Sequence, residues 1–383
     1  MKTEEKRVLW IDGLKGLFAV SVVLCHLACV FVPGLCDINK SSNWFEKIWV
    51  STFFNAITNG NTAVQFFFFA TGFLVTRGVY KKCDINTEHP QPYKKYFSLL
   101  RLIIPAVTFS FILMKLGALF HQQAIGLDSN LMFANGYNNF IPTIQTYLYE
   151  IFIIPFFRNS KFVAPLWTIR YEFWGTILVT FVAYYVRKNN QNGLVMYGLT
   201  IIPLAMINGN FVAVMLGAMV YDVYRNQDVG TDVISIVVRF IDKYTGIKIL
   251  LFIIGFYLAC CNLQGVGIYG WLSGISWLPI IRAMGIAVFV FAIMLLPSIQ
   301  RVLSKKWMIK LGGISAYIYI FHWPIILSLG CGMFVMLYDK ISYYLLASII
   351  ALISLGATLV LSILYLKILN IIANIVKKIK IKN

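Results

Sequence analysis

The chain has 383 residues, of which 59% are hydrophobic and only 13% are charged, and its mean hydropathy is +0.76. Soluble globular domains have about 45–50% apolar and about 25% charged residues, so this composition excludes a soluble protein. The formal charge of +18 would suggest a nucleic-acid partner in a soluble protein. Here the Lys and Arg residues stand between apolar runs, where they set the orientation of membrane helices, and we expect no nucleic-acid binding.

Apolar runs follow one another along the whole chain. A membrane span needs about 20 apolar residues. Ten runs meet or approach this length: 11–32, 62–80, 102–120, 165–186, 193–207, 211–224, 249–264, 277–297, 311–331 and 343–366. The sequence therefore predicts an all-α, polytopic membrane protein with about ten transmembrane helices, in a single domain that covers 1–383.

The segment 143–157 is apolar but short, and it contains Glu150 and Pro155. Lys and Arg collect in cytoplasmic loops. If this segment does not cross the membrane, 25 of the 33 basic residues fall on one side, and if it does cross, the asymmetry is lost. We therefore predict cytoplasmic termini, an external loop at 121–164, and a basic interfacial helix at 367–383 that favours anionic membrane lipid.

The seven cysteines show no C-x-x-C spacing, and most of them lie in apolar runs. Cysteines in such positions behave as small hydrophobic residues. The sequence therefore predicts neither a disulfide framework nor a metal site.

The ionisable residues of the first apolar run include Lys15 and His26. Eleven residues of helix make three turns plus roughly 20°, so both side chains lie on one face, about 16 Å apart along the axis. A basic group near the cytoplasm can hold phosphate, and a neutral imidazole deeper in the membrane can take a proton from a hydroxyl. The alternative is a histidine that only packs against a neighbouring helix.

The second run has small residues at its centre and Arg77 at its inner end. Small residues let another helix or a slim ligand approach the backbone. The following inner loop carries a basic cluster: Lys81, Lys82, Lys94, Lys95 and Arg101. Such a cluster suits the phosphates of a nucleotide-like donor such as coenzyme A, although positive-inside charge alone explains each residue equally well.

The fourth run opens with APLWTIRYEFWG, which brings Trp167, Arg170 and Glu172 within two helical turns at the predicted external end. Trp167 and Tyr171 could stack on a sugar face, and Glu172 could accept hydroxyl hydrogen bonds or a proton. The alternative is an interface tryptophan beside an Arg and Glu pair.

The ninth run, LGGISAYIYIFHWPII, has Ser315, Tyr319 and His322 on one helical face. Pro324 should open the backbone ladder beside His322. A second intramembrane histidine favours a shared polar interior over two unrelated packing residues.

These motifs resemble the bacterial acyltransferase family 3, integral membrane acyltransferases that modify surface glycans and other secreted molecules. The resemblance runs in order along the chain, through WIDGLKGLFAVSVVLCH, FFFFATGF, a basic stretch that ends in Arg101, PLWTIRYE and ISAYIYIFHWP. It implies ten spans and a cytoplasmic acyl-coenzyme A donor, usually acetyl. It also implies an essential basic residue and histidine in the first helix, which map to Lys15 and His26.

The sequence departs from the family pattern in three places. Lys15 stands where the family usually has Arg, and Lys offers a point charge rather than a bidentate fork. Ser98 stands where the first Arg of the family's Arg-x-x-Arg pattern would be. Arg101 therefore matches the second Arg, and Lys95 compensates for the charge of the missing first Arg. Thr168 replaces the serine of the family's Trp-Ser-x-x-x-Glu stretch.

We therefore expect a cell-membrane O-acyltransferase that moves an acyl group, acetyl above all, from cytoplasmic acyl-coenzyme A to a hydroxyl of an extracytoplasmic or lipid-linked carbohydrate. Acyl-coenzyme A is a co-substrate, no cofactor is permanently bound, and glycan-synthesis proteins are possible partners. The expected catalytic residues are His26, Glu172 and His322; the donor-binding residues are Lys15, Arg77, Lys95 and Arg101; and the substrate-binding residues are Trp167, Arg170 and Tyr319. His26 could act as general base or as an acylated nucleophile. The alternative function is a transporter or flippase for a lipid-linked sugar.

Overall fold

The computed structural model describes residues 8–81, 91, 93–134, 138–226, 233–262 and 264–382, and all the regular secondary structure in these ranges is helical. The first nine α-helices are α1 Leu9–Phe31, α2 Trp44–Ser51, α3 Gly60–Lys81, α4 Tyr93–Lys115, α5 His121–Leu127, α6 Ile144–Phe152, α7 Ile154–Phe157, α8 Ile169–Lys188 and α9 Gly193–Ile207. The second nine are α10 Gly209–Asn226, α11 Val233–Lys243, α12 Thr245–Ala259, α13 Leu278–Met294, α14 Pro297–Leu303, α15 Lys306–Gly313, α16 Ser315–Ile325, α17 Cys331–Leu337 and α18 Tyr343–Lys382.

Each of the ten predicted apolar runs coincides with a helix, and the ninth run continues from α16 into α17 through a π-helical turn. Among the described residues, five helices are long and apolar enough to cross a membrane: α1, α3, α4, the continuous stretch Ser315–Leu337, and Tyr343–Ile375 of α18. A sixth candidate is the pair α13 and α14, which is bent by 99°. The all-helical prediction is confirmed, and the helices are those of a membrane protein.

Two helix bounds differ from the prediction. Helix α4 begins at Tyr93, before the predicted run, because long basic side chains tolerate a helix while their charged heads remain in a polar environment. It ends before Gly117, whose φ of +63° is a common helix-terminating conformation. The tail, predicted as a separate interfacial helix, instead continues α18 as far as Lys382, because neither Gly nor Pro interrupts the sequence after Gly356.

The described part of the segment between α4 and α8 includes three short helices, α5, α6 and α7, each too short to cross a membrane. The Glu150 carboxylate accepts a hydrogen bond from the Lys161 backbone N–H at 3.1 Å, and burial raises the pKa of this carboxyl. The Ser110 hydroxyl of α4 donates to the Phe162 carbonyl at 2.9 Å. These bonds hold the chain inward, and the buried turn Ala164–Thr168 that follows starts α8 inside the protein.

Helices α3 and α10 pack backbone to backbone at small residues. A Cβ atom on Gly72 would lie 1.7 Å from the Val214 carbonyl oxygen, and one on Gly217 would lie 2.0 Å from that of Phe69. This packing holds the middle of α3, the helix that forms one wall of both cavities described below.

We expect Gly72→Ala to lower the stability of the protein, because its methyl group would overlap the α10 backbone and overpacking of this kind costs about 1–3 kcal/mol. Thermal unfolding of the purified protein in detergent, followed by size-exclusion chromatography, measures the effect. Gly78→Ala on the same helix is the matched control, since a Cβ atom there has no atom within 4 Å. Equal melting temperatures for the two variants would contradict the packing argument.

Candidate active site

Two histidines from the first and ninth predicted spans meet inside the protein. The Nε2 atom of His322 lies 3.0 Å from Nδ1 of His26, and the two rings stack with centroids 4.9 Å apart and an interplanar angle of 25°. His322 is completely buried, whereas His26 is half-buried and lines a cavity. The histidines therefore form one hydrogen-bonded unit of which only His26 reaches a cavity.

The hydrogen bonds define which nitrogen carries each proton. The Nδ1 atom of His322 lies 3.2 Å from the Ile318 carbonyl oxygen, which can only accept, so Nδ1 is the protonated nitrogen of this ring. In a neutral His322, Nε2 then accepts a hydrogen bond, and Nδ1–H of His26 donates it. The basic nitrogen of His26 is consequently Nε2. A histidine with one nitrogen fixed as donor and the other basic can accept a proton.

The backbone of the ninth run is adapted around the pair. Pro324 lies inside α16, and the π-helical turn Ile326–Gly330 follows directly, which fits the predicted opening of the hydrogen-bond ladder. Trp323, fully buried, packs edge-on against His26 with ring centroids 5.4 Å apart. A Cβ atom on Gly16 would lie 2.8 Å from the Gly312 nitrogen, so α1 packs at small residues on α15, the helix directly before α16.

A cavity of about 360 Å³ opens beside Lys15 and is called the Lys15 cavity. Most of its wall is apolar, and its polar lining includes Lys95, Glu172 and Ser315. The Lys15 ammonium lies 2.8 Å from the Asp12 carboxylate, and the Lys95 ammonium lies 2.5 Å from that of Glu172. The cavity combines two basic side chains with an apolar interior.

A second cavity, of about 370 Å³, contains His26 and Trp167 in its wall and is called the His26 cavity. Tyr319 and Val64 line both cavities, so they stand between them. The Tyr319 hydroxyl donates to the Pro165 carbonyl at 2.9 Å and lies 3.0 Å from the Thr168 hydroxyl. These bonds hold the Tyr319 side chain in the dividing wall.

The structure brings some predicted site residues together and separates others. Glu172, expected beside the histidines on the acceptor side, pairs with Lys95 in the Lys15 cavity instead, because the inward-folded turn before α8 carries it there.

Arg77 is buried within α3 and Arg101 is exposed on α4, and neither lines the Lys15 cavity. The Arg170 guanidinium stacks on the Tyr171 ring, 4.6 Å from its centroid, and lines neither cavity.

Three cysteines that were predicted to behave as small hydrophobic residues lie together beside His26. Cys25, Cys29 and Cys36 all line the His26 cavity. The spacing of Cys25 and Cys29 by one helical turn was the only available signal, and the chain reversal that brings Cys36 back to α1 has no periodic pattern.

A buried histidine pair with one member in the wall of a cavity, in an apolar helical protein, fits an integral membrane enzyme that transfers a group. A family model described as an acyltransferase domain matches residues 8–367, nearly the whole chain. The chain belongs to this acyltransferase family 3, as the motifs indicated. Searches of curated proteins and of solved structures return no match.

Proposed function

We propose that this acyltransferase is a membrane O-acyltransferase that uses acyl-coenzyme A, most often the acetyl ester, and transfers the acyl group to a hydroxyl of an extracytoplasmic or lipid-linked carbohydrate. The observation that carries the proposal is the hydrogen-bonded chain from the Ile318 carbonyl through His322 to Nδ1 of His26. This chain makes Nε2 of His26 the basic nitrogen, as a general base requires.

The proposed reaction uses that nitrogen twice. Nε2 of His26 takes the proton of the acceptor hydroxyl as the oxygen attacks the thioester carbon. The carbon–sulfur bond breaks, its electron pair goes to sulfur, and the thiolate of coenzyme A takes the proton back from Nε2. His322 is a positioning residue that stabilises the positive charge on the His26 ring while the proton is held there.

The Lys15 cavity suits the donor. Its apolar wall matches a pantetheine arm, and Lys15 and Lys95 provide positive charge for phosphates. Both ammonium groups already have carboxylate partners, Asp12 and Glu172. Donor phosphates would therefore compete with these carboxylates, which in turn keep the two lysines positioned when the cavity is empty of donor. The His26 cavity, with Trp167 in its wall, suits a sugar.

The direct test measures release of coenzyme A thiol from acetyl-coenzyme A by the purified protein in detergent, with and without a panel of glycan acceptors. We expect acceptor-dependent thiol release together with an acetylated glycan detected by mass spectrometry. Indifference to coenzyme A thioesters, combined with sugar-lipid flux in reconstituted vesicles, would support the transporter alternative and overturn the enzyme.

The proposal includes a topology of ten spans with cytoplasmic termini. Its support is the coincidence of ten apolar runs with helices, together with the distribution of basic residues. Lys15 lies near the start of α1 and His26 near its end, so this topology assigns the Lys15 cavity to the cytoplasmic side and the His26 cavity to the external side.

A cysteine placed on either side checks this topology. We expect Asn159→Cys, at an exposed position before α8, to react with a membrane-impermeant thiol reagent in intact cells. Lys305→Cys, exposed between α14 and α15, should react only after the membrane is permeabilised. The wild-type protein supplies the blank for the native cysteines, and the reversed pattern would exclude cytoplasmic termini.

We expect Lys15→Ala to raise KM for acetyl-coenzyme A about tenfold, since loss of one phosphate contact worth about 1.4 kcal/mol weakens binding by that factor. Lys15→Arg should keep donor affinity at or above that of the wild type, because the guanidinium retains the charge and adds a bidentate geometry. Initial rates at varied donor concentration measure both effects. Lys306→Ala, exposed and outside the cavity, is the control, and an unchanged KM in Lys15→Ala would remove Lys15 from the donor site.

A further inference from the structure

Three thiols meet at the end of α1. The Sγ atoms of Cys25, Cys29 and Cys36 all lie within 4.8 Å of one another. Cys25 and Cys29 lie one turn apart on α1 with their sulfurs 3.9 Å apart. The chain then reverses through the turn Pro33–Leu35 and brings the Cys36 sulfur within 2.9 Å of that of Cys29.

These distances fit one coordination sphere. A tetrahedral zinc ion with Zn–S bonds of about 2.3 Å holds its sulfurs about 3.8 Å apart. The Cys25–Cys29 pair already has this separation, and the Cys29–Cys36 pair has to open by about 1 Å. Since Cys36 lies in a turn outside the helix, a rotation of its side chain can supply that movement.

The surroundings decide the charge of the ion. Among the described residues that line the His26 cavity there is no Lys or Arg, so the ion itself has to neutralise three thiolates. A monovalent ion would leave a net charge of −2 and a divalent ion a net charge of −1, and the smaller buried charge costs less. The positive end of the α3 helix dipole offsets part of the remaining negative charge. The first residue of α3, Gly60, lies against Cys25, because a Cβ atom on Gly60 would be 2.9 Å from the Cys25 Sγ.

The cavity also has room for an ion beside the thiols. All three cysteines line the His26 cavity, which has a volume of about 370 Å³. A fourth ligand position would face this cavity, where water or an oxygen of a molecule in the cavity can fill it.

We propose that Cys25, Cys29 and Cys36 form a binding site for a divalent thiophilic cation, represented by Zn²⁺, with its fourth position open to the His26 cavity. The sequence predicts no such site because the spacing of these cysteines follows no common zinc pattern. The site is independent of acyl transfer, although an ion there would narrow the cavity beside His26.

The test uses the full-length protein in detergent, reduced and stripped of metal with a chelator, then equilibrated with Zn²⁺ and desalted. Elemental mass spectrometry should find one zinc per chain, and three thiols should become protected from a thiol reagent. The triple variant Cys25→Ser, Cys29→Ser, Cys36→Ser should bind none. Cys331→Ala, which removes a buried cysteine of α17, is the matched control and should keep one zinc.

Other outcomes overturn the site. No zinc on the reduced wild-type protein, or equal zinc on the triple variant, would exclude it. A Cys29–Cys36 disulfide in the isolated protein, with no zinc uptake after its reduction, would assign the pair to redox chemistry instead. Where the triple variant does not elute as a single folded species, Cys36→Ser alone should weaken zinc binding at least a hundredfold, and unchanged affinity would overturn the proposal. Because no acyl donor is present, failure here leaves the proposed transfer reaction untouched.

Discussion

Replacing His26 with alanine should reduce acyl transfer by about 10²–10⁴-fold, the usual contribution of a general base. The substitution removes the only member of the histidine pair that reaches a cavity, and no other described residue of that cavity is a histidine. The loss should fall on kcat, with KM for acyl-coenzyme A almost unchanged, because the Lys15 cavity is not lined by His26. Initial rates with matched amounts of purified protein give both constants.

His121 provides the matched control. It is also a buried histidine, but it lies on α5 and its Nε2 atom is 3.2 Å from the Asn139 side-chain oxygen, apart from the pair. His121→Gln should keep the wild-type rate, and transfer retained by His26→Ala at a comparable level would exclude His26 as the base.

An experiment on the wild-type protein distinguishes whether His26 acts as a general base or as a nucleophile. A nucleophilic His26 would carry an acyl group on its ring after incubation with acyl-coenzyme A in the absence of acceptor. With His26 as general base, intact-protein mass spectrometry should show no such adduct, and coenzyme A thiol should be released only after the acceptor is added. An acyl group mapped to the peptide that contains His26 would favour the nucleophilic route.

Replacing His322 with phenylalanine should cost about 10²–10⁴-fold in kcat, although His322 lines neither the Lys15 cavity nor the His26 cavity. The ring keeps its volume in a fully buried position, but His26 loses the His322 nitrogen that accepts its Nδ1–H, a contact that favours the tautomer with a basic Nε2. The stabilising partner of the charged ring is lost as well.

A conservative variant separates this role from packing. His322→Gln offers a side-chain carbonyl oxygen near the position of Nε2, which can accept the same hydrogen bond. We expect it to be at least tenfold more active than His322→Phe at equal protein stability. Equal rates for the two variants would show that His322 only fills space.

Much of the helical layout could be predicted, because apolar runs and their charge asymmetry are local properties of the sequence. The unusual intramembrane histidines were also visible, since an ionisable residue in a span is rare enough to mark a site. Their direct contact could not be predicted, because it depends on how closely α1 and α16 approach. That approach depends in turn on α15, directly before α16, which packs closely on α1 at small residues such as Gly16 and Gly312.

Glu172 shows where a local pattern is insufficient. Its motif, WTIRYE, predicts a helix start at the external end of a span, and α8 does start there in the sequence. The preceding turn is held inside the protein by contacts with distant residues, including the bond from Tyr319 to the Pro165 carbonyl. This long-range fixation takes Glu172 to Lys95, and no periodicity within either helix encodes it.

The wall that Tyr319 and Val64 form between the two cavities has a consequence for the cell's ion gradients. A protein with opposed openings and a thin partition risks becoming a pore for protons and small ions. Tyr319 is held by two hydrogen bonds and packs against the Phe67 ring at a centroid distance of 6.0 Å. It therefore separates the two cavities when no substrate is bound, and the proposed transfer requires this side chain to move aside. In the proposed topology, access to the site from both sides is thereby compatible with a sealed membrane, and the need to prevent ion leakage sets an upper limit on how open this site can be.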